Sequence, residues 1–247
     1  MTEKPPRRSL RRALMRSVLL FAVVFGGALG VAALWHPDSP LPDHWNPLRP
    51  LTVADPVTPL TGWKLRRAVG DRDLCLAALG EAGRMEPLII TETREMQCHV
   101  LRPVRLQTLG PVAATIRETD CASALRLAMW VEHGVRPAAR DILGTDLREV
   151  VDNGSYNCRP MRTTRGDSPR WSTHATAMAI DVSGFEMADG QSLRLIRDWD
   201  GTGAEARFLR STRDAACRWF VTVLGPDYNA LHADHFHLQA TGWGTCR

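Results

Sequence analysis

The sequence predicts an α+β fold in which helices flank an antiparallel sheet. Helix signatures dominate the chain up to about residue 145, and strand-like runs with two hairpin signatures dominate after it. With 247 residues, 44% of them hydrophobic, the chain can bury one good core.

At the N-terminus, Lys4, Arg7, Arg8, Arg11, Arg12 and Arg16 precede an uncharged apolar run from Ser17 to Trp35. That run is close to the roughly 20 residues a helix needs to span a bilayer. It reads as an uncleaved anchor behind a basic cytoplasmic tail, residues 1–16. As a cleaved signal, its small-residue sites are Ala28-Leu29-Gly30 or Gly30-Val31-Ala32. Both readings export the rest of the chain. Residues 36–60 hold seven prolines and no apolar period, which predicts an extended, semi-rigid linker before a domain over residues 61–247.

Within the domain, Asp71 to Leu79 reads as a short helix. A second takes Thr119 or Asp120 as N-cap, sets Cys121, Ala124, Leu125 and Ala128 at helical spacing, and stops at Gly134. Pro137 suits the first turn of another short helix. LREVVDNGSYNCR predicts a hairpin turning at Asn153-Gly154, and AIDVSGFEMADGQSLRLI one turning at Asp189-Gly190. A long helix over residues 204–224 carries Phe208, Thr212, Ala216 and Phe220 on one stripe, with Gly225-Pro226 as its stop. HFHLQA reads as a last strand.

Six cysteines (Cys75, Cys98, Cys121, Cys158, Cys217 and Cys246) lie beyond the apolar run without a CxxC pair. In an oxidising compartment this predicts three disulfides rather than a zinc ribbon or a free nucleophile. Proximity along the chain pairs Cys75 with Cys98 and Cys217 with Cys246. The net charge of +4 is concentrated in the first 16 residues; beyond them 25 basic residues face 26 acidic ones, a net of −1. A nucleic-acid-binding domain keeps its positive charge on the folded part, so no nucleic-acid partner is expected.

The chemistry concentrates in LHADHFHLQ, which holds His232, His235 and His237, three of the eight histidines. On a strand, His235 and His237 share a face while Phe236 turns to the core. A second cluster, STHATAMAID, sets His174 seven residues before Asp181. On a straight helix that spacing climbs ~10.5 Å, too far for one ion whose donors sit at about 2.0–2.2 Å. The segment must therefore fold back near Ala175, Thr176 and Ala177 before AIDVS runs as a strand. Two histidines and a carboxylate with an open fourth position form the ligand set of a hydrolytic zinc site. Such a metal activates water and polarises a carbonyl, and the other histidine of the HxH pair is placed to move the proton.

Through GSYNCR, HATAMAIDVSGF, ACRWFVTVLGP and HADHFHLQ, residues 75–247 resemble the bacterial extensin-like C-terminal domain family. His174-x6-Asp181, with Ser172 two residues before it, together with the HxH of His235 and His237, is similar to the LAS zinc peptidases. That group is named for lysostaphin, D-Ala-D-Ala carboxypeptidase and sonic hedgehog. The spacing His232-x2-His235-x-His237 resembles that of the penicillin-insensitive murein endopeptidases. The resemblance implies a LAS-type core with zinc on His174, Asp181 and His237, and His235 as general base. It also implies His232 as an auxiliary group and Arg159 as the holder of a substrate carboxylate or oxyanion.

The implied protein is an exported peptidase acting on peptidoglycan peptides in cell-wall remodelling, anchored in the inner membrane with its domain in the periplasm. Ala177 stands where the carboxypeptidase pattern has glycine, and that pattern takes its last ligand from a different motif; both departures favour an endopeptidase. A non-catalytic metal- or peptidoglycan-binding module on the same fold is the alternative, against which the retained His235 speaks.

The remaining candidates read as structural. His36 and His44 fall in the linker, and His99 and His133 at surface or helix-end positions. Trp199 packs down in a turn between Asp198 and Asp200, and Tyr156 is buried beside Cys158.

Overall fold

The computed structural model describes residues 7–247, which divide after Pro50 into two compact units. The first six residues of the expected basic tail lie outside the described residues. In the first unit, α1 (Arg7–Trp35) is one continuous helix that starts inside that tail and takes in Arg11, Arg12 and Arg16. Its segment Arg11–Trp35 is long and apolar enough to cross a membrane, a test that a signal sequence also passes.

Residues 36–50 do not run as an extended linker. The Asn46 amide donates to the Leu34 carbonyl (2.7 Å) and to Ser39 Oγ (3.1 Å). Arg49 donates to the carbonyls of His36 (2.9 Å) and Pro37 (3.1 Å) and pairs with Asp43 (3.3 Å). These donors serve carbonyls at and just beyond the helix end, which the helix itself leaves open.

The second unit starts at Leu51 rather than Thr61, because Leu51 and Val53 are buried in its core. Two helices follow, α2 (Thr61–Gly70) and α3 (Arg72–Ala82). Asp71 caps α3 by accepting the Leu74 N–H (3.0 Å). After β1 (Met85–Pro87) comes a hairpin the sequence reading does not anticipate, β2 (Pro103–Leu109) with β3 (Val112–Asp120). Its two-residue Gly110-Pro111 loop places Gly110 at φ +56°, the backbone such a tight turn needs.

Asp120 caps α4 (Cys121–Trp130) by accepting the Ala122 N–H (2.9 Å). The helical path does not stop at Gly134. It widens into π-helical turns at Val131–Val135 and Ala139–Leu143, on either side of α5 (Arg136–Ala138), and ends at Gly144 with φ +70°. Gly134 is there for close packing: a Cβ would sit 2.8 Å from the Ala215 Cβ and 3.1 Å from the Trp130 ring.

This long helical segment is the crossover that lets β4 (Leu147–Gly154) lie parallel to β3, so the sheet is mixed rather than wholly antiparallel. Asn153-Gly154 turns no hairpin. Instead β4 pairs with β7 (Ala179–Met187), while β5 (Pro160–Thr163) and β6 (Gly166–Trp171) form a separate two-stranded sheet. The second expected hairpin is present: β8 (Ser192–Arg194) returns along β7 through Asp189-Gly190.

After α6 (Leu195–Asp198), α7 (Ala204–Trp219) ends five residues earlier than its stripe suggests. Residues Thr222–Leu224 become β9, an edge strand beside β10 (Phe236–Gln239). The main sheet runs β1-β2-β3-β4-β7-β10-β9, with β8 against β7. Trp130 lies in the middle of the core, its ring edge-on to Phe185, Phe220 and Phe236 at 5.9–6.5 Å, and its Nε1–H donates to the Thr212 carbonyl (2.8 Å).

All six cysteines are paired, as Cys75–Cys121, Cys98–Cys158 and Cys217–Cys246. The expected Cys75–Cys98 pair is corrected because α3 packs on α4, whose first residue is Cys121. Cys98–Cys158 closes a 60-residue separation. Replacing both cysteines with alanine is expected to lower the unfolding free energy by about 4 kcal/mol, measured from urea midpoints against the native chain.

Candidate functional site

Strands β7 and β10 run antiparallel, with His237 directly opposite Asp181 and Phe236 opposite Val182. Ile180, Val182, Phe236 and Leu238 are fully buried, and Phe236 is wedged edge-on between Trp130 (6.5 Å) and Trp199 (5.7 Å). With those residues on the core face, strand alternation puts Asp181, His235 and His237 on the other.

His174 arrives from a one-turn 3-10 helix, Thr173–Thr176, whose N-cap Ser172 accepts the His174 N–H (3.3 Å). The expected fold-back occurs at Ala177, in the left-handed region at φ +53°. Such a backbone costs a non-glycine residue about 1 kcal/mol. It is held because the Ala177 N–H donates to the His174 carbonyl (3.0 Å), and the Ala177 carbonyl accepts from the Asp120 N–H (3.2 Å) and the Ser123 hydroxyl (3.1 Å).

Three donor atoms converge. His174 Nδ1 lies 2.6 Å from the Ser155 carbonyl, which can only accept, so Nδ1 carries a proton and Nε2 faces inward. Nε2 is 3.2 Å from Asp181 Oδ2 and 3.1 Å from His237 Nδ1, and His237 Nδ1 is 2.7 Å from Asp181 Oδ1. Tetrahedral ligands at zinc distances stand ~3.4 Å apart. The triad therefore fits one such ion with an outward movement of a few tenths of an ångström.

Beside the triad, His235 Nδ1–H donates to the Asp234 carboxylate (2.7 Å), leaving Nε2 3.6 Å from Asp181 Oδ1. His232 Nδ1 bonds Asn229 Oδ1 (2.8 Å), and its ring centre is 5.3 Å from that of His235 and 5.6 Å from that of His237. Burial alone would raise the Asp181 carboxyl, but the hydrogen bonds to His174 and His237 outweigh it and hold the group below the usual carboxylate range. Burial pulls His232 down to about 4 and also lowers His237.

The structure thus brings together His174, Asp181, His237, His235 and His232. Arg159 stands apart: its guanidinium donates to the Pro160 carbonyl (3.2 Å) and reaches Asp181 only through long-range charge attraction. Its backbone is nearer, since the Arg159 carbonyl accepts the Ser172 N–H (3.1 Å) at the foot of the His174 turn. Sequence reasoning does not find the orienting groups Ser155, Asp234 and Asn229. Asp234 is legible as the neighbour of His235, but Ser155 acts through its carbonyl, which every residue type carries.

Among the other candidates, Trp199 packs down and donates to Asp227 Oδ1 (2.9 Å). Tyr156 is half-buried, with its hydroxyl on the Cys98 carbonyl (3.3 Å) and the Arg94 guanidinium over its ring. His133 is half-buried and bonds the Val53 carbonyl (2.7 Å), a structural tie rather than a surface position.

A family model described as Extensin-like protein C-terminus matches residues 73–247. No curated protein and no solved structure matches the chain.

Acid should loosen this site in a predictable way. A folded His232 pKa near 4, against an ordinary 6.5, means that only the unfolded chain takes up this proton in that window. With chelator present, stability that is full above about pH 6.5 should fall as the pH drops toward 4, by about 2 kcal/mol once solvent screening is allowed for. His237 acts in the same direction. Urea unfolding from pH 7 to 4 should show a shallower slope in His232→Gln; identical slopes would refute the assignment.

Proposed function

The chain belongs to the extensin-like C-terminus family, and from that premise we propose that it is an exported zinc peptidase with a LAS-type core, acting on peptidoglycan peptides as an endopeptidase. The observation that carries this reading is the convergence of His174 Nε2, Asp181 and His237 Nδ1 on one point, with the His235–Asp234 pair beside it. Two imidazoles and a carboxylate match the donor preference of zinc.

His174, Asp181 and His237 would hold the ion, which when bound acidifies water and polarises the scissile carbonyl. His235 takes the water's proton at Nε2. Its Nδ1–H on the Asp234 carboxylate fixes the tautomer and stabilises the imidazolium that forms. The same nitrogen then gives the proton to the leaving amine. His232, whose Nδ1 is tied to Asn229, presents Nε2 as a neutral partner that orients the substrate. Arg159, half-exposed with its guanidinium apart from the triad and its backbone at the foot of the His174 turn, would hold a carboxylate on a more distant part of the peptide.

In this reading α1 anchors the chain in the inner membrane and the second unit works in the periplasm. Three disulfides support an oxidising compartment. The net charge of −1 beyond residue 16 argues against a nucleic-acid partner.

Purified sacculi digested by the full-length chain in detergent, with and without chelator, provide the test, read by mass analysis of the fragments. Peptide crosslinks should be cut without chelator. His174→Ala and His237→Ala should lose both zinc and cleavage. His235→Ala should keep zinc and lose about 10²- to 10⁴-fold in rate. A zinc-loaded chain that leaves every muropeptide intact would overturn the enzymatic reading in favour of a binding module.

A further inference from the structure

We propose that the Cys98–Cys158 disulfide is a positioning element for His174, holding residues 155–159 as a cradle against the His174 turn. This stretch lies between β4 and β5 with neither helix nor strand to stiffen it. It nevertheless meets the turn at three alternate residues. The Ser155 carbonyl accepts from His174 Nδ1 (2.6 Å), the Asn157 N–H donates to the His174 carbonyl (3.0 Å), and the Arg159 carbonyl accepts the Ser172 N–H (3.1 Å). The two ends of the cradle are fixed by different means. At one end the buried Ser155 hydroxyl lies 2.6 Å from the Ala179 carbonyl and 2.8 Å from Thr119 Oγ1, and the Tyr156 N–H donates to the Glu118 carbonyl (3.3 Å). At the other, Asn157 and Cys158 are exposed, and the covalent link to fully buried Cys98 ties them to the body of the domain.

One stretch of chain thus holds both the ring and the backbone of His174, through Ser155 and Asn157 in turn. Opening the disulfide frees Asn157 and Arg159 but leaves Ser155 anchored, so the His174 backbone loses its support while the ring keeps its acceptor. Outer contacts of this kind set metal affinity by about 10- to 100-fold. The expected loss is at the lower end, because half of the cradle stays in place. This effect on the metal rests on the zinc reading above; the hold on the turn does not.

The double variant Cys98→Ser/Cys158→Ser opens the bond without leaving thiols that would take up metal. Cys217→Ser/Cys246→Ser, which unties α7 from the chain beside β9, controls for a general loss of stability. Both are compared with the native full-length chain in detergent, under conditions where thermal melting shows each to be folded. In the metal-free chains, hydrogen exchange of the Asn157 and Ser172 amides should speed up in the first variant only. Zinc added alone and followed by calorimetric titration should bind the first variant about 10-fold more weakly than the native chain, and the control with native affinity. Native exchange at both amides, native zinc affinity, or equal changes in the two variants would overturn the proposal. Should the first variant not fold, the metal-free native chain is treated with a phosphine, which takes oxygen from water and leaves two thiols. Alkylation then identifies chains opened at Cys98–Cys158, and unchanged exchange in them refutes the positioning role. A native chain that binds no zinc would instead refute the metal reading and leave the exchange comparison intact.

Discussion

A slip of one residue between β10 and β7 would turn Phe236 out of the core and His237 into it, because strand side chains alternate with a period of two. The register is therefore pinned by hydrophobic burial. Phe236 and Leu238 on one strand, and Ile180 and Val182 on the other, are fully buried, and Phe236 sits between two tryptophans. Once those four are in place, His237 and Asp181 face each other on the opposite side. The polar site is set by apolar residues on the opposite face of the same strands.

The His174 arm depends on a second constraint, a buried backbone carbonyl that must find donors. Ala177 enters the left-handed region to reverse the chain, and its carbonyl is met by the Asp120 N–H and the Ser123 hydroxyl from the start of α4. Asp120 also caps α4 and accepts from Arg102 at 3.2 Å. Ser155 adds a third tie, its hydroxyl on the Ala179 carbonyl (2.6 Å) and its own carbonyl on His174. One polar knot thus joins β3, α4, the end of β4 and the His174 turn, and Cys75–Cys121 staples the same helix start to α3.

Much of the site was legible because its residues lie in two short segments with strong local geometry. HFH on a strand shares a face by alternation alone, and the seven-residue gap from His174 to Asp181 forces a reversal on distance grounds. The β7–β8 hairpin and the Asp120 cap were legible for the same local reason. Where local signals misled, a tertiary partner had won. Asn153-Gly154 looks like a hairpin turn, yet β4 found β7 as its partner. Gly134 looks like a helix stop, yet it makes room for Ala215. The α7 reading ran on to Leu224 because the four-residue stripe reaches Phe220 and the next stop signal is Gly225-Pro226, while the sheet edge beside β10 claimed Thr222–Leu224.

By itself the sequence determined the mixed α and β character, the N-terminal apolar helix, the even set of cysteines and the two histidine-bearing segments, since each is a matter of spacing within one stretch of chain. Proximity along the chain sufficed for Cys217–Cys246, whereas tertiary structure alone decided that Cys75 meets Cys121 and Cys98 meets Cys158, that β3 and β4 run parallel, that Leu51 and Val53 join the core, and which ring nitrogen of each histidine faces inward. Those depend on partners distant in sequence: α4 packed on α3 chose Cys121 for Cys75, and the Ser155 carbonyl turned His174 Nε2 inward. A backbone carbonyl has no signature in the side-chain alphabet, so no reading of residue types alone reaches it.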